Sequence, residues 1–360
     1  MKLLFVGTNR GGGGTESHFV SLACALHQAG HTVAAVVYPN APIHAGLVGS
    51  GVQLYDGIFR NAFDPRGMGA VWRAGRDFRP DWIIGSFSKE YWPLVLISRT
   101  LGVKLALFKH MDFPMRPATR HFIPRLASRF IVVSNFMRER FIAHGIPPMC
   151  IQMLYNPIDL DYFRPDPILR RTARKALGLG DDDIVLGFVG ALHPDKGIFP
   201  LADAINQAMA RMPGLRALWV GEGPAAAQLR MHIHSGGFGA RHICHKWTHD
   251  VRPYYATMDT LAMPSVGSDT FGRVSIEAQA CGVPVLCSNI GGIPETLVPG
   301  ITGQLLPPGD ISAWRDAILA LAGNDQTRMQ MKEEGRNWVA HQFSAPVIAR
   351  QFTQLLEDSH

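Results

Sequence analysis

The chain of 360 residues is 47% hydrophobic and carries 35 Lys and Arg against 29 Asp and Glu. So much apolar sequence excludes a disordered or fibrous protein, and the length exceeds the usual single-domain range, so two cores are expected. The net charge of +6 is uneven: residues 1–165 hold 18 Lys and Arg against 10 Asp and Glu, a net of +8, which leaves 17 against 19, a net of −2, for the rest. The basic half implies an anionic partner: a phosphate-bearing ligand, an anionic membrane or a nucleic acid. Five cysteines (Cys24, Cys150, Cys244, Cys281, Cys287) form no C-x-x-C pair and no metal spacing, as expected of buried thiols in a reducing compartment. The apolar start of "MKLLFVGTNRGGGG" is too short for a signal-peptide core, and no stretch reaches spanning length without charges. A soluble cytoplasmic protein, or one seated on the inner face of the cytoplasmic membrane, is expected.

In chain order, "KLLFVGT" predicts a strand, four glycines a loop, and "TESHFVSLACALHQAG" a helix, with Phe19, Leu22, Ala23 and Leu26 at helical spacing and Gly30 as its stop. "HTVAAVVY" resumes as a strand, followed by "DWIIGS", a helix in "YWPLVLISRTLG", and the strands "VKLALFKH" and "RFIVVS". The alternation predicts a parallel α/β layer. Prolines and polar residues break it at "YNPIDLDYFRPDP". After "LGLGDDD" a second series opens with "IVLGFVG" and continues through "RALWVGEG", "HICHKW", "TLAMPS", "PVLCS" and "GQLLPP". The fold class expected is α/β, with two Rossmann-like domains facing across a cleft: residues 1–165, residues 166–340, and a C-terminal helix in 341–360 turned back toward the first domain. In open α/β sheets ligands bind beyond the carboxyl ends of the strands.

Three stretches carry chemistry. "GTNRGGGGTES" joins the first strand to the first helix, where bare backbone and helix N–H groups can approach a phosphate. It is neither common nucleotide fingerprint, because no Gly-Lys-Ser/Thr follows and G-x-G-x-x-G read from Gly12 arrives at Ser17. "FVGALHPDKG" presents Lys196 after a strand, either as a phosphate-neutralising ammonium or as a solvated lysine. "PSVGSDTFGRVSIEAQACGVPV" reads as a loop and then a helix from about Arg273 to Cys281, stopped by Gly282. Its first turn favours an anion, with Asp269 in the loop and Glu277 one turn inside. Carboxylates accept hydrogen bonds from hydroxyls, and a sugar nucleotide has hydroxyls at both ends of its pyrophosphate. The plainer alternative makes Asp269 a helix cap and Glu277 a solvated residue.

These segments, together with "VSNFMRERFIAHGIPP", "YNPIDLDYFRP", "WVGEGP" and "NIGGIPETLVPGITGQLLPPGD", resemble in order the retaining glycosyltransferase family 4, of GT-B fold, over nearly the whole chain. The resemblance implies transfer of a sugar from a nucleotide diphosphate sugar to a hydroxyl of a glycan or lipid-linked acceptor, as in lipopolysaccharide or capsule assembly. It implies that Glu277 holds the donor ribose, that Asp269 holds the donor sugar, and that Phe271, Gly272, Arg273 and Val274 form the phosphate-binding helix start. Lys196 would neutralise the leaving diphosphate, Gly13 and Gly14 would close over it, and His110 would lie near the reacting sugar. No metal or other cofactor is expected, since lysine and helix amides supply the positive charge. "DLD" at Asp159–Asp161 and "DDD" at Asp181–Asp183 are read as turns and solvated acids.

The sequence departs from the family pattern at Ala191, where an arginine is usual, at Asp269, usually glutamate, and at Asn156-Pro157, usually Asn-Gly. Arg273 or Arg10 is the expected substitute for the missing charge. Arg116, Arg120, Arg125 and Arg129, interleaved with Phe113, Phe122, Ile123 and Phe130, suit anionic headgroups or a phosphorylated acceptor. No nucleic-acid motif is present, so nucleic acid is not an expected partner. The alternative functions are a sugar-nucleotide epimerase, a phosphorylase, or a non-catalytic polyanion binder.

Overall fold

Lys2–Gly7 (β1) carries four consecutive buried apolar residues, Leu3 to Val6, in place of the alternation of a half-exposed strand. A parallel strand covered on both faces calls for such a run. The computed structural model describes residues 1–112, 114–267 and 269–358, and places β1 inside a parallel sheet. Among the described residues this sheet has seven strands: β1, Thr32–Val37 (β2), Gln53–Asp56 (β3), Trp82–Gly85 (β4), Lys104–Lys109 (β5), Arg129–Val132 (β6) and Gln152–Met153 (β7). Their order is β3-β2-β1-β4-β5-β6-β7. A second, six-stranded sheet holds Ile184–Val189 (β8), Leu215–Val220 (β9), His242–His245 (β10), Thr260–Met263 (β11), Val285–Ser288 (β12) and Gly303–Leu306 (β13), in the order β10-β9-β8-β11-β12-β13.

In each sheet the strand order reverses beside the first strand of the series. The loops leaving β1 and β4, and those leaving β8 and β11, therefore flank the two crevices in which such sheets bind ligands. Strand β3 is too polar, and β7 too short, for the hydrophobic pattern to have shown them.

The packing defines two units, Met1–Asp159 together with the segment from Phe343 onward, and Leu160–Gln342. The first unit ends at Asp159, short of the expected residue 165, because Ile158 is tied to the returning chain. Its N–H donates to Phe343 O at 2.8 Å and its carbonyl accepts Ala345 N–H at 2.9 Å. Of the prolines that follow, Pro167 opens the helix Pro167–Ala176, where Asp166 accepts from Ile168 N and Leu169 N at 3.0 and 2.8 Å. The helix Ala345–Glu357 buries Ile348, Ala349, Phe352 and Leu356 in the first unit's core, beside Phe19, Leu22 and Leu26 of the helix Gly14–Gln28.

The carboxyl end of that last helix is held by Arg129, whose Nε donates to Leu355 O at 2.8 Å and whose Nη2 donates to Asp358 O. Arg129 is thus committed to the fold and is unavailable to an anionic headgroup. Ile123 and Phe130 are likewise buried, and Phe113 lies outside the described residues. What remains of the basic pattern is Arg116, at the N-cap of the helix Pro117–Leu126, and Arg120 and Arg125 within it, with Phe122 48% exposed. No helix among the described residues is long and apolar enough to cross a membrane.

Phe352 is fully buried, with its ring 5.5 Å from that of Phe108. Phe352→Ala is expected to cost roughly 3–5 kcal/mol in urea unfolding followed by circular dichroism. A loss below about 1 kcal/mol would show that the last helix is not part of the first core.

Candidate functional site

After β8 the chain turns through Pro194–Lys196 and passes Gly197 at φ +68°. A Cβ on Gly197 would lie 1.9 Å from the Pro264 carbonyl oxygen, so only glycine lets this turn lie against the segment leaving β11. Two hydrogen bonds stitch them together, from Val266 N and Gly267 N to Asp195 O, each 2.9 Å. Lys196 Nζ consequently reaches Asp269 Oδ2 at 2.6 Å, and Ser265 Oγ donates to the same oxygen at 3.3 Å. The backbone of Asp269 is fixed from a third direction. Gly292 N donates to Asp269 O at 2.8 Å, and a Cβ on Gly291, at φ +63°, would come within 2.2 Å of that oxygen.

The helix Arg273–Ala280 begins at Gly272, φ +100°, which has no side chain with which to cap the first turn. Its base is pinned by a buried polar cluster: Gln279 Nε2 donates to Ser275 Oγ at 3.0 Å and to Thr296 O at 2.8 Å, and Thr296 Oγ1 donates to Ser275 Oγ at 2.9 Å. Glu277 is clamped at both oxygens. Arg273 Nε donates to Oε1 at 2.7 Å and the Tyr255 hydroxyl to Oε2 at 2.9 Å. Complete burial first, and the Glu277 carboxylate second, push the Tyr255 hydroxyl well above its ordinary range, so it stays protonated and donating. Each carboxylate oxygen has more than one lone pair, so Glu277 keeps acceptor capacity for a ligand's hydroxyls.

The structure therefore gathers Lys196, Asp269, Gly272, Arg273, Val274 and Glu277 at the β8/β11 crevice of the second unit. It corrects several details. Asp269 does not cap the helix; it pairs with Lys196. Glu277 is not solvated, the side chains of the Arg273–Glu277 pair each being 12% exposed. Phe271 is 2% exposed, so its ring is part of the core and only its backbone can face a ligand. Arg273 is engaged by Glu277, and the Arg10 guanidinium lies over the Tyr38 ring at 4.6 Å, so each suggested substitute for the charge missing at Ala191 already has a partner. Asp183 is not a solvated acid either; it pairs with Arg216 at 2.9 Å and accepts Gly180 N–H at 2.8 Å.

Tyr255, Ser265, Thr296 and the Gly291-Gly292 pair were not assigned from the sequence. A tyrosine in "RPYYATMD" looks like ordinary core, and its hydrogen bond to Glu277 spans a strand and a loop that no local pattern encodes. A cleft of about 430 Å³ elsewhere on this unit is lined by Arg170, Tyr255, Met258, Cys281 and Lys332. It shares Tyr255 with the site but none of the four charged groups, so cavity size does not locate the chemistry here.

In the first unit, Gly13 is the extended N-cap of the helix Gly14–Gln28, again with no capping side chain. His110 follows β5 and is 9% exposed, its ring 4.5 Å from that of His18 and stacked 5.7 Å from Phe108. His18 is a core position by helical spacing, and the histidine pair appears only in three dimensions. Below the glycine loop lies a second group that the sequence did not reveal. Glu90, fully buried after β4, accepts from Thr8 N at 2.8 Å and from Thr8 Oγ1 at 2.6 Å, both through Oε1. Burial pushes its carboxyl up to about 7, against the pull of those two donors and of Lys89.

Residues 12–162 match the model described as Glycosyltransferase Family 4, and residues 170–338 the one described as Glycosyl transferases group 1. The chain carries two glycosyltransferase domains. It is 33% identical over 272 residues to D-inositol 3-phosphate glycosyltransferase of Mycobacterium tuberculosis, covering 71% of this chain and 55% of that protein, so it spans about half the length of the curated relatives it matches. Among solved structures it is similar to Anabaena HepE in complex with UDP and glucose (TM-score 0.85, 21% identity, 99% of each chain covered). It is also similar to a glycosyltransferase from Rickettsia africae (TM-score 0.88, 18% identity, 99% of this chain and 97% of the other covered). At those identities the likeness shows the fold, two parallel-sheet Rossmann-like domains of GT-B class.

In the family 4 domain, Glu90 makes a pH-dependent contribution. Its folded value of about 7 lies above the ordinary glutamate value of about 4.5, so the folded state holds the proton where the unfolded state has released it. The stabilising term is fully present below about pH 4.5 and is lost as pH rises through about 7, a change on the order of 3 kcal/mol. Glu90→Gln is expected to flatten that decline in thermal melts of the whole chain between those pH values. An unchanged slope would show that Glu90 is ionised in the folded protein throughout.

Proposed function

We propose that this protein is a retaining glycosyltransferase that moves a hexose from a uridine diphosphate sugar to an acceptor hydroxyl and needs no resident metal. One observation carries the reading: in the group 1 domain an ammonium, a helix start with glycine at its N-cap and two carboxylates lie beyond the ends of β8 and β11, held there by glycine turns and buried hydrogen bonds. A diphosphate matches the Lys196 ammonium and the first-turn amides at Arg273 and Val274, which stabilise the negative charge that builds as the glycosidic bond breaks. Glu277 takes the ribose hydroxyls, and Asp269 those of the sugar. Uridine is favoured because the similar Anabaena structure contains UDP and glucose. Lysine and helix dipole supply the positive charge that a metal ion provides in other transferases.

In the first unit, His110 suits contact with a sugar hydroxyl or proton movement, and the bare helix start at Gly13 and Gly14 suits a phosphate. The acceptor is assigned to the basic segment of Arg116, Arg120 and Arg125, which suits a hydroxyl compound bearing a phosphate or an anionic lipid-linked glycan, lipopolysaccharide and capsule precursors included. The name of the mycobacterial relative, an inositol 3-phosphate glycosyltransferase, supports a phosphorylated acceptor. Exposed Phe122 amid these arginines fits a seat on an anionic membrane surface.

Thermal-shift measurements across UDP, GDP and ADP sugars test the donor. A UDP sugar at a hundred times its Kd is expected to stabilise the wild type by about 2.7 kcal/mol. Glu277→Ala should lose that stabilisation, and proton NMR of the transferred sugar should show the donor's anomeric configuration. Stabilisation by no nucleotide sugar would remove the reading, and conversion of the donor sugar without an acceptor would indicate an epimerase.

A further inference from the structure

The ammonium available to a diphosphate is already claimed by a carboxylate. Lys196 Nζ lies 2.6 Å from Asp269 Oδ2, with the aspartate side chain 12% exposed and the lysine side chain 35% exposed. The contact is built into the fold and does not depend on a flexible encounter. Both backbones are fixed by the Gly197 turn, by the two hydrogen bonds to Asp195 O, and by Gly292 on Asp269 O. Ser265 Oγ adds a second donor to Oδ2.

A diphosphate that draws Lys196 to itself weakens the pair with Asp269 and sets phosphate oxygens beside a carboxylate of like sign. A donor sugar compensates for that loss, because its hydroxyls give Asp269 new hydrogen bonds. The bare nucleoside diphosphate left after transfer does not. We infer that Asp269 competes with the diphosphate for Lys196, so that the site distinguishes a nucleotide sugar from the spent nucleotide and expels the product. The inference rests on the donor reading above and adds a role that simple contact with the sugar does not supply.

The sign of the effect sets this apart from an ordinary binding residue. Titration calorimetry with UDP, and separately with UDP-glucose, would be done on the full-length wild type, Asp269→Asn, Asp269→Glu, Lys196→Ala and the double variant Lys196→Ala/Asp269→Asn. Removing the charge in Asp269→Asn is expected to tighten UDP by about fivefold to tenfold, and to lower the ratio of UDP-glucose affinity to UDP affinity. Asp269→Glu, which keeps the charge, should bind UDP within about twofold of wild type. The tightening should shrink markedly in the Lys196→Ala background, because the competition needs the lysine. Unchanged or weaker UDP binding by Asp269→Asn, with wild type binding both ligands, would overturn the competition and leave the donor reading intact. Equal tightening with and without Lys196 would overturn it too, since the carboxylate would then act through its field alone. Wild type that binds neither UDP nor UDP-glucose would defeat the donor reading itself, and the competition with it.

Discussion

The second unit's site depends on how closely three backbone segments approach one another. The turn after β8, the loop after β11 and the segment after β12 meet around Asp269, and Gly197 and Gly291 sit where a Cβ would strike a carbonyl oxygen. Any other residue there would need a positive φ and a gap of about an ångström or more, and Lys196 would no longer lie against Asp269. The glycines do not touch a ligand in this scheme; they fix the distance between the groups that do.

Given that approach, the charged groups arrange themselves in pairs. Lys196 with Asp269, and Arg273 with Glu277, make the crevice nearly neutral overall while concentrating charge within it. Partly buried charges are costly unless paired, which explains why the fold holds these residues in contact. Under the proposed function a ligand meets both pairs at once, with an anion for Lys196 and hydroxyls for the carboxylates.

Much of this was legible in the sequence, because the strands are continuous apolar runs and the helix start at Gly272 is marked by Phe-Gly and a later glycine stop. The acids, the lysine and the glycine loop could be named for the same reason: each sits just beyond a strand end. The partnerships could not. Lys196 and Asp269 are separated by 73 residues, and Glu90 and Thr8 by 82, so their contacts are set by strand order and no local pattern records them. Burial was equally hidden. Arg129 and Phe271 look like surface charge and site residue in the sequence, yet one holds the end of the last helix and the other fills the core. The unit boundary shifted to Asp159 for a related reason, since a backbone exchange between Ile158 and the returning chain leaves no trace in composition.

The claim at the centre is that a diphosphate is gripped by Lys196 and by the opening amides of the helix Arg273–Ala280. A crystal structure of the protein with UDP-glucose tests it most directly. Phosphate oxygens within hydrogen-bonding distance of Lys196 Nζ and of the Arg273 and Val274 amides, with the ribose on Glu277, is the expected result. A nucleotide bound elsewhere on the second unit, with Lys196 still on Asp269, would contradict it.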